Sequence, residues 1–304
     1  MADDNANRTA DLTFFWTIEN CPIMLSPRTI KSPIFYAERL FCTRWNLEIK
    51  NVDQEFLMYF INRNRDIGPY HITVVFELSF LDSNGSPLNS EKHVHQFMKD
   101  NFRDFTLLTD DVFQKRRVEF LANDALSLRC RLWKIQKDTS DNNLCFARTR
   151  LGIERLTISW CTCDFSTLPP GRDVIYELKV GDDTYPSLNM ALSMSVTNDE
   201  EIVLIRFLKS DDTIFHFNYE ISVLDVTGKK HFSRKSTILL TQVDRLAHLI
   251  RKEELMNDKD LLLPHDVLCL RCVLDIGYGT IWSGIESYTR YPSLPTDSED
   301  SRLI

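Results

Sequence analysis

Apolar residues alternate with other residues along two stretches of the chain. Over residues 72–80, every second side chain is large and apolar, and the same period of two returns over residues 215–223. This period places successive side chains on opposite faces of an extended backbone. Both stretches are therefore predicted to be β-strands with one buried face. Each ends in a turn sequence, at 82–85 or 225–228, whose glycine can adopt a positive φ.

Four sequence blocks occur twice in the same order, so the chain contains an internal repeat. The paired blocks are residues 13–16 and 157–160, 45–49 and 176–180, 76–85 and 219–228, and 124–132 and 266–274. In the third pair, FELSFLDSNG matches YEISVLDVTG, and in the fourth, DALSLRCRL matches DVLCLRCVL. A repeat spacing of this length is typical of a duplicated domain and is too long for a solenoid.

The predicted fold class is all-β, with two tandem antiparallel β-sandwiches and short helical turns near residues 109–113 and 251–256. A polar stretch without periodicity separates the two copies, and a tail rich in acidic residues, serine and proline follows the second copy. The expected boundaries are 1–135 for the first domain, 136–150 for a linker, 151–286 for the second domain and 287–304 for a disordered acidic tail.

Composition and charge exclude several classes of protein. The 304 residues are 43% hydrophobic and 26% charged, which is typical of a globular protein, and the net charge is −8. No extended basic stretch is present, so nucleic acid is not expected as a partner. No apolar run approaches the roughly 18 residues that cross a bilayer, so no membrane partner is expected. The amino terminus lacks a signal sequence, which predicts a nuclear or cytoplasmic protein with reduced cysteines.

The repeated blocks, taken together, resemble the MATH domain, which is the TRAF-like β-sandwich. The resemblance rests on an entry strand ending in Trp16, the strand Trp45-x-Leu47-x-Ile49, the hairpin at 76–85 and the closing strand that contains Cys130. The second copy shows the same order, and its closing stretch at 262–272 follows a predicted helical turn. The resemblance covers residues 13–135 and 155–276. The tandem arrangement is most similar to that of speckle-type POZ protein relatives of arthropods.

The resemblance implies protein recognition. In MATH domains joined to a POZ (BTB) domain, an aromatic groove binds an extended peptide rich in serine and threonine. Carried over by position, the groove residues of the family fall at Tyr59, at Phe76 and near Phe102, while His95 replaces a groove tyrosine. The alternation of apolar residues also allows Phe76 and Tyr59 to be core residues, whereas the polar neighbours of Phe102 favour the surface.

The second copy departs from this set of aromatic residues. Tyr219 matches Phe76, but Ile205 or Arg206 stands at the position of Tyr59, and Asp244 lies near the position of Phe102. Peptide binding is therefore expected of the first copy.

Within the family, the POZ domain dimerises and binds the third cullin for ubiquitin transfer. The sequence to Ile304 contains no such domain, so a role as substrate adaptor of a cullin-RING ubiquitin ligase is expected only if a POZ domain follows. The partners would then be substrate proteins, bound through short extended peptides, and a cullin scaffold. The alternative is a TRAF-like scaffold in signalling or trafficking with no ligase role.

The sequence contains no recognisable motif for catalysis or cofactor binding. The chain lacks His-Glu-x-x-His, Gly-x-Ser-x-Gly and a complete phosphate-binding loop, so neither an enzyme nor a cofactor is expected. Four cysteines, Cys161, Cys163, Cys269 and Cys272, could in principle converge as a metal site. Because alternation along a strand sends Cys269 and Cys272 to opposite faces, we expect no chelation and predict buried thiols at Cys161 and Cys163.

Overall fold

The structure of the protein is a computed structural model. It describes residues 9–21, 29–53, 55–135, 143–178, 188–209, 214–239 and 245–289. Within these ranges, most of the chain lies in β-strands and short helices occupy a few connections. The predicted all-β class is therefore confirmed. In the described part of the chain, no helix combines the length and the apolar character needed to cross a membrane.

The described residues form seventeen strands. The first nine are β1 (Leu12–Glu19), β2 (Ile30–Lys31), β3 (Phe35–Ala37), β4 (Thr43–Val52), β5 (Phe56–Arg63), β6 (His71–Leu81), β7 (Pro87–Met98), β8 (Asn101–Leu108) and β9 (Leu126–Lys134). The following strands are β10 (Asn143–Thr162), β11 (Asp173–Leu178), β12 (Leu188–Thr197), β13 (Glu200–Lys209), β14 (Ile214–Leu224), β15 (Lys230–Leu239), β16 (Arg245–Arg251) and β17 (Leu268–Thr289).

The helices are short and lie before the closing strand of each sequence copy. In the first copy they are a π-helical turn (Asp111–Lys115), α1 (Arg117–Phe120) and a 3-10 turn (Ala122–Asp124). In the second copy they are α2 (Lys252–Asn257), α3 (Lys259–Leu262) and a 3-10 turn (Pro264–Asp266), and a further 3-10 turn (Phe165–Thr167) follows β10. The two helical turns predicted near 109–113 and 251–256 are thus present.

The chain divides into two compact units. The first unit consists of residues 1–151 and 280–304, and the second consists of residues 152–279. The division falls within β10 and within β17. Residues 143–150, expected in a linker, form the start of β10 because their alternate side chains, from Asn143 to Thr149, are buried. Residues 287–289, expected in the tail, end β17, while 136–142 and 290–304 lie outside the described residues.

Two sheets of the first unit share one hydrophobic core. One sheet has the strand order β10-β1-β9-β6-β7, and the other has the order β2-β4-β5-β8 with β3 paired to β4. The predicted inward positions of β6, residues 72, 74, 76, 78 and 80, are all buried. Aromatic rings from the two sheets meet in this core, with Tyr59 and Phe80 5.5 Å apart and Trp45 and Phe97 5.0 Å apart.

One strand pair of the first unit is parallel. Along its whole length, β1 pairs in parallel with the first part of β10, whereas it pairs antiparallel with β9. The expectation of purely antiparallel sheets is therefore wrong at this pair. Residues 280–289 of β17 lie beside the same part of β10, because the Thr149 and Ser283 hydroxyl oxygens are 2.9 Å apart and Arg148 Nε lies 2.7 Å from Glu286 Oε1.

The second unit also has two sheets and its own core. One contains β15-β14-β17 and the second part of β10, and the other has the order β11-β12-β13-β16. Phe207 on β13 contacts Tyr219 on β14, with 5.0 Å between ring centroids. Residues 268, 270, 272 and 274 of β17 are buried as predicted. The predicted strand at 215–223 lies within β14.

The hairpin turns that follow β6 and β14 have the same structure in both units. The carboxylate of Asp82 accepts a hydrogen bond of 2.8 Å from the backbone N–H two residues later, and the carboxylate of Asp225 does the same. Gly85 and Gly228 adopt φ values of +81° and +80°, which only glycine adopts readily. The sequence repeat is therefore also a repeat of local structure.

Candidate functional site

The four residues predicted to bind peptide occupy two different environments. Tyr59 and Phe76 are buried, with 0% and 1% of their surface exposed, whereas Phe102 is 52% exposed. His95 is partly buried on β7. On β5, Tyr59 pairs with the buried Phe105 of β8, so both side chains face the core. Phe102 lies on β8 three residues before Phe105 and therefore faces the opposite side of the sheet.

Tyr59 and Phe76 are packed among other aromatic residues of the core. The ring of Phe76 lies 5.7 Å from the ring of Phe97, and the ring of Tyr59 contacts Phe80. Burial raises the pKa of the Tyr59 phenol far above its usual range. Of the two alternatives that the sequence left open for these residues, their burial supports core packing.

The Tyr59 hydroxyl leads to a stability prediction. This oxygen is buried and makes no hydrogen bond within the described part of the chain. A buried hydroxyl without a partner lowers stability because it loses its hydrogen bonds to water. We therefore expect Tyr59→Phe to raise the free energy of unfolding by about 1 kcal/mol in urea denaturation. Tyr36→Phe is the matched control, since Tyr36 is 51% exposed, and it should leave stability unchanged.

Two outcomes for Tyr59→Phe would contradict the assignment of Tyr59 to the core. If the variant is less stable than the wild type, the hydroxyl has a partner in solution. If it keeps its stability but binds peptide many times more weakly, Tyr59 contacts the ligand directly.

Phe102 forms an aromatic pair on the outer face of the β5–β8 sheet. Its ring centroid lies 5.7 Å from that of Phe60 in an edge-to-face arrangement. Phe60 follows Tyr59 on β5, so alternation turns its side chain outward. Sequence reasoning missed Phe60, although the parity of the strand identifies it once Tyr59 is assigned to the core.

Strand β8 is an edge strand. In its sheet it pairs with β5, and the sheet order ends there. Strand β7 ends the other sheet in the same way, and a two-residue turn joins β7 to β8. Asp100 in this turn has φ +61°. The backbone N–H and C=O groups on the open side of β8 are therefore available to another extended chain.

A polar depression borders the aromatic pair on the same outer face. The register places Asn46, Asn62 and Phe102 in one row across β4, β5 and β8. The depression has a volume of about 450 Å³, and its lining includes Asn46, Asn62 and Glu48. The Asn64 side-chain amide donates to Asn46 Oδ1 over 2.8 Å. Charged residues also line the depression, and Glu48 pairs there with Lys31 over 2.8 Å. Side-chain amides both donate and accept hydrogen bonds, so the row of amides within the depression suits uncharged polar groups.

His95 and Arg103 connect the two edge strands. Arg103 Nε donates a hydrogen bond of 3.2 Å to Nδ1 of His95. The His95 ring also contacts the Phe97 ring in a T-shaped geometry, with 4.6 Å between centroids. Burial, followed by the charge of Arg103, lowers the pKa of His95, whereas the Asn101 side chain acts in the opposite sense. The imidazole is therefore neutral near pH 7.

A buried ion pair lies near the turn between the edge strands β7 and β8. Arg63 and Asp66 are 2.9 Å apart and both side chains are inaccessible to solvent. The guanidinium of Arg63 also donates to the carbonyl oxygens of Pro69, Tyr70 and Phe97. It thereby ties the end of β5 to the end of β7, close to the turn that leads into β8. Nothing in the sequence marks this pair.

Two cysteines of the second unit form a disulfide. Cys161 on β10 is bonded to Cys269 on β17, with their Cα atoms 4.2 Å apart. The prediction that all cysteines are reduced is therefore wrong. The prediction of buried thiols at Cys161 and Cys163 is also wrong, because Cys161 is in the disulfide and Cys163 is exposed. Cys272 points to the core as predicted, and burial raises the pKa of its thiol to about 12. The described residues contain no group of three or more possible metal ligands.

No protein-family model matches the chain, and no curated protein matches it. One solved structure, the N-terminal CBM22-1-CBM22-2 tandem domain from Paenibacillus barcinonensis Xyn10C, aligns over 82% of this chain and 87% of that one. The two sequences are 9% identical over the alignment and the TM-score is 0.14, a similarity on which no argument rests.

Proposed function

We propose that the first unit binds short, extended, Ser/Thr-rich peptide segments of other proteins along the open edge of β8. The observation that carries the proposal is the aromatic pair of the exposed Phe102 and the partly buried Phe60, at a strand that has no second neighbour among the described residues. Phe102 and His95 remain at this edge as contact residues. Tyr59 and Phe76 support it from the core.

The backbone N–H and C=O groups at the edge of β8 could bind the backbone of an extended peptide. An extended peptide that pairs with an edge strand satisfies unpaired N–H and C=O groups on both chains, and this binding mode is independent of sequence. Specificity then comes from alternate side chains of the peptide, because every second one faces the same side of the sheet. On the outer side, these side chains would meet the rings of Phe102 and Phe60.

The amides of the polar depression fit the side chains of serine and threonine. Their hydroxyls both donate and accept hydrogen bonds, as the amides of Asn46 and Asn62 do. A peptide that places an apolar residue against Phe102 would bring neighbouring outward side chains within reach of this row. The row therefore supports a preference for small uncharged polar residues.

The wider assignment is part of the same proposal. We infer that the two units are tandem MATH (TRAF-like) sandwiches, similar to those of speckle-type POZ protein relatives. The repeated hairpin turns and the helical turns before β9 and β17 support this. The protein would then be a non-catalytic adaptor in the nucleus or cytoplasm. It would present substrates to a cullin-RING ubiquitin ligase where a POZ domain follows.

Phe102→Ala tests the proposed site. An aromatic anchor at the centre of an interface contributes on the order of 2 kcal/mol, so the variant should bind a Ser/Thr-rich peptide about thirtyfold more weakly. Fluorescence anisotropy with a labelled peptide selected from a Ser/Thr-rich array measures this change. Phe232→Ala is the matched control, because Phe232 is also a partly exposed aromatic residue but lies in the second unit.

The result is decisive in both directions. Equal affinities for the wild type and Phe102→Ala would remove Phe102 from the site. If Phe232→Ala weakens binding and Phe102→Ala does not, the peptide binds the second unit.

A further inference from the structure

We propose that the open edge of β8 selects a peptide residue that carries a carboxylate or a phosphate, and that Arg103 recognises it. This inference rests on the proposed function and specifies the chemistry of one position of the bound peptide. It follows from how Arg103, His95 and Asp104 are arranged on the two sides of one edge strand.

Arg103 occupies an exposed position on the core side of β8. Its register partner on β5 is Ile61, and the next inward residue of β8 is Phe105, both of which are buried. Arg103 is nevertheless exposed, because β8 is the edge strand of its sheet. The Arg103 side chain reaches His95 on β7, the edge strand of the other sheet. A peptide strand beside β8 would pass this guanidinium.

His95 orients this guanidinium without neutralising it. Arginine has only donor N–H groups, so the 3.2 Å contact requires an unprotonated Nδ1 on His95. The lowered pKa of His95 agrees with a neutral ring. Only Nε of Arg103 is used in this bond, and no carboxylate of the described residues pairs with the side chain. The two terminal amino groups thus remain as a planar fork suited to two oxygens of one anion.

The neighbouring cations are already engaged. Arg65 pairs with Asp100 over 2.8 Å, and Lys99 donates to the carbonyl oxygen of Asp66 over 2.8 Å. Both of these contacts hold the turn between β7 and β8. Lys99 keeps its charge but is held at the Asp66 carbonyl, whereas Arg103 keeps its charge and its terminal N–H donors. Among the described cations at this edge, Arg103 is therefore the one placed to bind an anion through two oxygens.

The two sides of β8 differ in charge, which sets the position of the anion. Asp104 is opposite Phe60 in the register and lies on the outer side. Glu48 follows in the same row but pairs with Lys31 over 2.8 Å, so the negative charge that borders the edge on this side is that of Asp104. An anionic side chain on that side would be repelled, whereas one on the side of Arg103 would be attracted. Because strand side chains alternate, the anion should lie next to the residue that contacts Phe102.

The test compares labelled peptides that share one Ser/Thr-rich sequence with a single leucine anchor. They differ only at the two positions that flank the leucine, which carry serine, aspartate, phosphoserine or lysine. We expect the aspartate and phosphoserine peptides to bind the wild type about tenfold more tightly than the serine peptide. The lysine peptide should bind more weakly than the serine peptide. A gain for phosphoserine alone would identify phosphate as the anion, and a gain for aspartate as well would include carboxylates.

Substitutions then assign the preference to Arg103. Arg103→Gln should remove the preference for anions, so that this variant binds the serine, aspartate and phosphoserine peptides with equal affinity. Arg103→Lys keeps the charge but loses the fork and the bond to His95, so it should retain only part of the preference. Arg172→Gln, an exposed arginine of the second unit, changes the net charge equally and should retain all of it.

Two results would overturn the inference while leaving the proposed function intact. In the first, the wild type binds the serine, aspartate and phosphoserine peptides with equal affinity. In the second, Arg103→Gln keeps the preference for anions. In both cases Phe102→Ala must still bind all the peptides more weakly than the wild type does. If the wild type binds none of the peptides, the proposed function fails and the inference fails with it.

Discussion

Arg63→Met should destabilise the first unit by about 3 to 5 kcal/mol, which is the cost of removing one partner of a buried ion pair. The substitution leaves the Asp66 carboxylate without its cation. It also removes the donors to the carbonyl oxygens of Pro69, Tyr70 and Phe97. Urea denaturation should show an earlier transition for the first unit. Peptide affinity should fall as well, because the same contacts hold the end of β7 beside β8.

Arg65→Met is the matched control for this variant. Arg65 lies two residues further on and also pairs with an aspartate, but its side chain is 87% exposed. Exposed pairs contribute between 0 and about 1 kcal/mol, so the control should be close to the wild type. Equal losses of stability in the two variants would contradict the role assigned to burial.

Asp66 gives the ion pair a characteristic pH dependence. Burial alone would raise the pKa of Asp66, but the bonds from Arg63 and from backbone N–H groups outweigh burial and lower it below 3.8. A group whose pKa is lowered on folding stabilises the folded state above its unfolded pKa, and this stabilisation disappears as the pH falls through the folded value. The double variant Arg63→Met, Asp66→Leu should lack this acid-sensitive component.

Reduction of the Cys161–Cys269 disulfide should destabilise the second unit by about 2 to 4 kcal/mol. The two cysteines are 108 residues apart, so the bond closes a long loop and restricts the unfolded chain strongly. Urea denaturation with and without a reducing agent measures the effect. The variant Cys161→Ala, Cys269→Ala should behave in oxidising buffer as the wild type does in reducing buffer.

Cys163→Ala serves as the control for the disulfide. Cys163 lies two residues from Cys161, is exposed and is not bonded. This variant should keep both the stability of the wild type and its response to the reducing agent. A second unit that is equally stable in oxidising and reducing buffers would contradict the disulfide described here.

Most of the strands could be predicted from the sequence because alternation reports burial directly. Residues 72–80 and 268–274 have one apolar face, and both stretches form strands with that face in the core. The parallel pairing of β1 with β10 could not be predicted in this way. Alternation indicates which face is buried but contains no information about the neighbouring strand or its direction.

The candidate site was less accessible to sequence reasoning. Phe102 was predicted at the surface from its polar neighbours and is exposed. Phe60 was missed because it is next to Tyr59 in the sequence. Only the alternation of side chains along β5 shows that the Phe60 ring faces outward while the Tyr59 ring faces the core. The role of Arg63 depends on carbonyl oxygens of three other residues, which the tertiary fold brings together. The pairing of Cys161 with Cys269 depends on the register of β10 against β17, which the sequence does not reveal.

Hydrogen–deuterium exchange of the β8 backbone tests the central claim most directly. The protein would be compared with and without a saturating Ser/Thr-rich peptide, with Phe102→Ala as the control. If an extended peptide pairs with the open edge, every second amide of β8 should exchange more slowly in the wild-type complex, since those amides become hydrogen-bonded. Unchanged exchange along β8 at saturation, or protection confined to the second unit, would contradict the claim.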